Sequence, residues 1–226
     1  MNINWKALKA VIFDIDGTLY DLDALQRRMM KEIFLFYLRR PWRISDVKIL
    51  WDFRAMREER AGKEAKNLEN IQYEWGAQKS KVSPQKVFRI VQQWIFEKPL
   101  NHLSSIRYPG LLKFLDILKQ KGIKIAFWSD YPGEKKLEVL GIRPQNCFSA
   151  TDKEINALKP HPKGLRVVTK SLKVSPQYCL LIGDQDGRDG QAARHLGMPY
   201  LLIGSNGNGS KKNYFHGYEE LAQKIL

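Results

Sequence analysis

The sequence predicts an α/β protein: a doubly wound parallel sheet into which a helical segment is inserted. Three observations lead there. Short apolar runs at 8–13, 123–128, 146–149, 178–182 and 200–203 alternate, from 108 onward, with segments of helical spacing at 111–121, 133–140, 162–172 and 190–196. Strands that alternate with helices form a parallel sheet, because parallel neighbours need a crossover between them. Residues 20–107 break this rhythm: they hold no strand pattern but show helical patterning at 25–38, 47–60 and 84–96, with Trp42, Trp51, Phe53, Trp75 and Trp94 interspersed. Finally, Tyr108-Pro109-Gly110 marks a loop where the rhythm resumes, since proline biases the residue before it away from helix. The division that follows is a core of 1–19 and 108–226 around a helical insertion of 20–107.

Length and composition agree with this. At 226 residues the chain exceeds the usual single-domain size, which allows one large domain or a core with a modest insertion. An apolar fraction of 43% and a charged fraction of 27% are those of a chain with a real core. The longest apolar runs are strand-sized, well short of the roughly 18 residues of a membrane span. Residues 1–9 lack the basic segment, apolar run and cleavage site of a secretory signal, so a cytoplasmic protein is expected. Cys147 and Cys179 lie in short apolar stretches, where buried free thiols are expected rather than a disulfide. The net charge of +14 suits phosphorylated substrates, nucleic acid or an acidic membrane surface, and equally a plainly solvated surface. It is not gathered in a tail: 20–107 holds 18 Lys and Arg against 11 Asp and Glu, and the rest of the chain 20 against 13. Residues 204–212 read as a flexible loop by composition.

Four stretches carry chemistry. In Val-Ile-Phe-Asp-Ile-Asp-Gly-Thr-Leu, 11–19, an apolar strand delivers Asp14 and Asp16 at its C-terminal end, where ligands bind in an open parallel sheet. Burying an unpaired carboxylate costs several kcal/mol, so the pair calls for a cation; turn formation or helix capping is the other use of acids at a strand end. A second strand ends in Ser129, a residue type that also serves turns and caps. In Leu-Lys-Pro-His-Pro, 158–162, Lys159 is a compact positive charge on a loop stiffened by two prolines. A further strand runs into Gly-Asp-Gln-Asp-Gly-Arg-Asp-Gly, 183–190, with acids at Asp184, Asp186 and Asp189. Hard oxygen ligands of this kind are what magnesium prefers.

In this order the four stretches resemble the motifs of the haloacid dehalogenase superfamily, in its branch of phosphatases with a helical first-type cap, similar to phosphoglycolate phosphatase and β-phosphoglucomutase. The D-x-D-x-T motif is matched by Asp14, Asp16 and Thr18, the second by Ser129, the K-P-x-P form by 159–162, and G-D-x-x-x-x-D by 183–189. The resemblance spans 8–203 and implies a Rossmann-like core of strand order 3-2-1-4-5 with 20–107 as the cap. It implies Asp14 as nucleophile, forming an aspartyl-phosphate, and Asp16 as acid/base; Thr18, Ser129 and Lys159 would bind phosphate. Magnesium would be held by Asp14, the Asp16 main-chain carbonyl and Asp184, a direct ligand, with Asp189 acting through water or from the outer shell. Asp186 is the alternative to Asp189, and the spacing favours Asp189. The acid at position 16 separates the chain from the dehalogenases and phosphonate-cleaving members, which lack it. The implied substrate is a phosphate monoester of a small metabolite. A phosphomutase that returns the phosphoryl group to a substrate hydroxyl, and a basic protein binding nucleic acid or an acidic partner, are the alternatives. Asp130 stands where asparagine is common, so its side chain either turns from the phosphate or reads a substrate hydroxyl or amine. Arg27, Arg28, Arg54, Arg57 and Arg60 are placed to meet a second anionic group or to form solvated helix faces.

Overall fold

The computed structural model describes residues 3–204 and 213–225, so the loop expected at 204–212 lies, beyond Gly204, outside the described residues. Six parallel strands, β1 (Ala10–Phe13), β2 (Lys124–Ser129), β3 (Cys147–Ser149), β4 (Cys179–Gly183), β5 (Tyr200–Ile203) and β6 (Tyr214–Phe215), lie in the order 3-2-1-4-5-6. This is the expected order with one strand added at the edge. β6 is two residues long and pairs Tyr214 with Leu202, too short to register as an apolar run. β1 is central, with Phe13 opposite Phe127 of β2 and Ile182 of β4.

Successive side chains of a strand point to opposite faces, and a parallel sheet must be covered on both. Val11 and Phe13 face one cluster, with Phe114 and Leu118 of the helix Leu111–Gln120 and Tyr218 and Leu221 of the helix Tyr218–Ile225. Ala10 and Ile12 face the other, with Leu165 and Val168 of the helix Lys163–Leu172. Apolar demand on both faces is why these strands read as unbroken apolar runs. Cys147 and Cys179 are free thiols on β3 and β4, and burial raises them to about 12 and about 11.

Between β1 and β2 the chain runs through α1 (Leu22–Leu38), α2 (Ser45–Glu58), α3 (Leu68–Ser80), α4 (Pro84–Val91), a wider turn at Gln92–Glu97, and α5 (Leu100–Leu103). Asp21 caps α1, accepting from the Ala24 amide at 2.8 Å, and Ser83 with Pro84 starts α4. α3 was not expected from the sequence. Its buried face includes Gln72 and Gly76, which interrupt the apolar stripe on which a helix is recognised. Where the chain leaves and re-enters the sheet, Tyr20 and Arg107 form an antiparallel bridge. The Asp21 amide donates to Ile106 O at 3.0 Å and the Tyr108 amide to Leu19 O at 3.1 Å, so both crossings run side by side. No helix among the described residues is long and apolar enough to cross a membrane.

Candidate active site

The C-terminal ends of β1, β2 and β4 meet over one cleft. Asp14 follows β1 and Asp184 follows β4, brought together by the glycine between them in space: Gly17 has φ +86°, and a Cβ there would lie 2.3 Å from Asp184 Oδ2. Only glycine tolerates both the left-handed backbone and that approach. Lys159, from the loop before the helix Lys163–Leu172, places Nζ 2.5 Å from Asp14 Oδ1 and 2.7 Å from Asp189 Oδ1, and 4.4 Å from the centre of the Trp128 ring. All three charged side chains are buried. Thr18, expected at the phosphate, is fully buried and donates to Asp14 Oδ2 at 3.0 Å, so its hydroxyl is spent on orienting that carboxylate.

The cluster is short of positive charge. Burial raises Asp14 well above the ordinary carboxylate range; Lys159 opposes this, while Asp189, Asp184 and Asp16 add to it. Asp184 is pushed up to about 7, by burial and then by Asp189. Burial would lower Lys159, but Asp14 and Asp189 outweigh it and hold the ammonium above its usual range. Oxygens of Asp14, Asp184 and Asp189 lie within 4.8 Å of one another, three hard anionic donors against one lysine. That donor set and the uncompensated charge fit a magnesium ion. Asp186 is turned elsewhere, accepting from Arg194 Nη1 at 2.7 Å and from the Tyr200 hydroxyl at 2.9 Å.

Asp16 sits apart from the three, 23% exposed at its side chain. Lys136 of the short helix Glu134–Val139 donates to both its oxygens, at 2.5 and 2.8 Å; the Tyr20 hydroxyl donates to Oδ1, and Ser129 Oγ to Oδ2 at 3.3 Å. Burial would raise the Asp16 carboxyl, but Lys136 and Tyr20 together hold it below the ordinary range. Lys136 escaped sequence reading: it lies in Gly-Glu-Lys-Lys, a solvated helix start by composition, yet it is only 5% exposed. Asp130 lines the cleft, but its carboxylate is already committed. Its Oδ1 accepts from the Lys159 amide at 2.9 Å and its Oδ2 from Arg188 Nη1 at 2.7 Å, while its carbonyl accepts from Arg57 Nη2 at 2.7 Å. Arg188 also meets Glu58 of α2, so the helical insertion and the sheet are tied across the cleft.

These groups line a cavity of about 960 Å³ that holds Asp14, Asp16, Ser129, Lys136, Lys159, Asp184 and Asp189 at one end and extends between α1 and α2. Of the five arginines singled out above, Arg54 and Arg57 line it, and the guanidinium of Arg57 is already committed to Gln72 and Asp130. Arg28 donates to Ser105 Oγ at 2.5 Å and Arg60 to the Met56 carbonyl at 3.1 Å.

The fold and the cleft have counterparts. A chain from Bacillus subtilis (strain 168) named "Putative phosphatase YhcW" is 25% identical over 240 residues, covering 97% of this chain and 94% of that one. Among solved structures, a HAD phosphatase from Thermococcus onnurineus superposes with a TM-score of 0.63 at 21% identity, covering 96% of this chain and 98% of that one. β-Phosphoglucomutase from Clostridium difficile gives 0.62 at 22%, covering 95% and 93%. The 2-haloacid dehalogenase of Pseudomonas syringae pv. Tomato DC3000 gives 0.65 at 17%, covering 96% and 97%. At such identities the structures speak for the fold alone. The sequence model of the haloacid dehalogenase-like hydrolases matches residues 8–197, and with the carboxylate cluster at the strand ends this establishes that the chain belongs to that family.

Proposed function

We propose that this hydrolase is a magnesium-dependent phosphatase that cleaves a phosphate monoester through an aspartyl-phosphate at Asp14, with 20–107 acting as a cap over a core of 1–19 and 108–226. The observation that carries the reading is the pairing of Lys159 with Asp14 and Asp189 beside a second, separately held carboxylate, Asp16. A nucleophile and an acid/base need different surroundings, and these two have them.

Magnesium held by Asp14, Asp184, Asp189 and the Asp16 carbonyl would supply the positive charge that lets a carboxylate approach a phosphate dianion. Asp14, oriented by Thr18, attacks phosphorus; the P–O ester bond breaks and the leaving oxygen takes a proton from Asp16. Water then gives a proton to Asp16 and attacks the phosphorus, the bond to Asp14 breaks, and phosphate leaves. Lys159 and Ser129 stabilise charge on the phosphoryl oxygens throughout. Held by Lys136 and Tyr20, Asp16 rests as the carboxylate, so it must be protonated when the ester is bound to serve as donor. A carboxylate at this position supports ester cleavage over dehalogenation, where no such donor is required.

Rapid-quench measurement with p-nitrophenyl phosphate tests the reading. Asp16→Asn is expected to accumulate phosphoprotein, because a good leaving group needs little protonation while hydrolysis of the intermediate slows about 10²–10⁴-fold. Asp14→Asn is expected to form none. Turnover by Asp14→Asn at the parent rate would overturn the assignment. Release of inorganic phosphate, rather than its return to a product hydroxyl, separates hydrolysis from phosphomutase chemistry.

A further inference from the structure

The catalytic groups occupy one end of the cavity; what lines the remainder bears on the alcohol that the phosphate is attached to. α1 presents Leu22, Leu25, Met29 and Ile33 to it, a stripe at helical spacing of the kind that normally packs against a neighbouring element. Leu25 and Met29 do so, inside the core cluster, with Leu22 and Ile33 packed against it; the exposed apolar surface lies beside them. Met30, Phe34 and Leu38 of α1 and Trp51 of α2, on the same walls, are 69%, 66%, 64% and 72% exposed. A contiguous exposed apolar surface of this kind marks a place where something apolar binds.

We propose that the substrate is an amphiphile: a phosphate monoester of an alcohol bearing a long hydrocarbon chain, whose phosphate sits at Asp14 and Lys159 and whose chain lies between α1 and α2. This rests on the phosphatase reading above and narrows its substrate from a small polar metabolite. Continuity identifies the occupant, because the apolar walls and the catalytic carboxylates enclose one space. Its volume, about 960 Å³, lies near the top of the roughly 300–1,000 Å³ usual for small-molecule sites, far more than a phosphoryl group fills. Chemistry argues against a sugar. On the α1 and α2 walls the charged and amide side chains are Gln26, Arg54, Arg57 and Glu58, and the last two are already paired, with Gln72 and Asp130 and with Arg188. Several hydroxyls brought against such a wall would meet Gln26, Arg54 and the Tyr37 hydroxyl among otherwise apolar side chains, losing water for few partners. A methylene chain gains from the same transfer.

The test is kcat/KM for n-alkyl phosphates from butyl to decyl, below their micellar concentrations, with p-nitrophenyl phosphate as a chain-free reference and sedimentation of the protein alone. The expected result is a rise of about threefold to fourfold per methylene until the cavity is filled. Phe34→Glu and Trp51→Glu, both at exposed positions, should lower the decyl-to-butyl ratio at least about tenfold. A flat or falling series in a protein that hydrolyses p-nitrophenyl phosphate overturns the substrate class and leaves the phosphatase reading standing. A flat series together with a dimer that Phe34→Glu dissociates also overturns it, assigning the face to a second copy of the chain. No phosphate from any ester, and no phosphoprotein, overturns both readings.

Discussion

Lys159→Met removes the cation that pairs with two buried carboxylates, Asp14 and Asp189, beside the half-buried Asp184. At an effective dielectric near 20, Lys159 attracts Asp14 and Asp189, at 2.5 and 2.7 Å, by roughly 6 kcal/mol each, while two carboxylates within 4.8 Å of each other repel by roughly 3.5 kcal/mol or more. Taking the lysine away turns net attraction into net repulsion. Protonation and entering water relieve much of this, and loss of one partner of a buried pair generally costs about 3–5 kcal/mol. For a chain of this length each kcal/mol lowers the melting temperature by about 2–4 °C, so a drop of about 10 °C is expected in the presence of a chelator. Magnesium should restore part of it, since a ligand that binds only the folded state adds about 2.7 kcal/mol at a hundred times its Kd. Thermal unfolding followed by circular dichroism, in chelator and in millimolar magnesium, measures both effects. A variant melting within about 2 °C of the parent in chelator would refute the role of Lys159 as counter-charge. A melting temperature indifferent to magnesium would refute the carboxylate cluster as a cation site, whatever the enzyme's activity.

Three further outcomes are expected. Lys136→Met should lower kcat about tenfold or more for an alkyl phosphate but less for p-nitrophenyl phosphate, with Lys136→Arg recovering part of the loss; steady-state kinetics showing equal losses on both esters would separate Lys136 from the proton-transfer step. Gly164→Ala puts a Cβ 2.2 Å from Trp128 Nε1, under the ring that supports Lys159, and overpacking should cost about 1–3 kcal/mol in urea unfolding, with an unchanged midpoint counting against it. Burial would raise Glu32, but hydrogen bonds from His102 and Lys98, at 2.6 and 3.1 Å, hold it below the ordinary carboxylate range. A lowered carboxyl stabilises above the ordinary range and loses this as pH falls through its folded value. Glu32→Gln should therefore cost about 0.5 kcal/mol at pH 7, and the gap should close below about pH 4. Equal gaps at both values would show that the ion pair contributes nothing.

The sheet was legible because burial on both faces leaves no room for polar residues, as in Ala10–Phe13 and Cys179–Gly183. The strand ends were legible for the converse reason, since Asp14, Asp16 and Asp184 break apolar runs abruptly. What stayed hidden depends on partners distant in sequence. α3 buries Gln72, acceptable only because Arg57 lies opposite, and Lys136 is buried only because Asp16 waits 120 residues earlier in the chain. Thr18 is expected at the phosphate and its hydroxyl donates to Asp14; which neighbour a hydroxyl serves is a matter of rotamer, on which sequence is silent.

The side-by-side crossings at Tyr20 and Arg107 also set the chain-entropy terms on which the helical segment joins the sheet. With both ends clasped, residues 21–106 are to the sheet a closed loop, and the cost of closing a loop grows only logarithmically with its length, about 0.6 kcal/mol for each doubling. Lengthening, shortening or reshaping the insertion therefore leaves the register of β1 against β2 almost untouched thermodynamically. The walls between α1 and α2 can change with little consequence for the strand ends that carry Asp14 and Asp184.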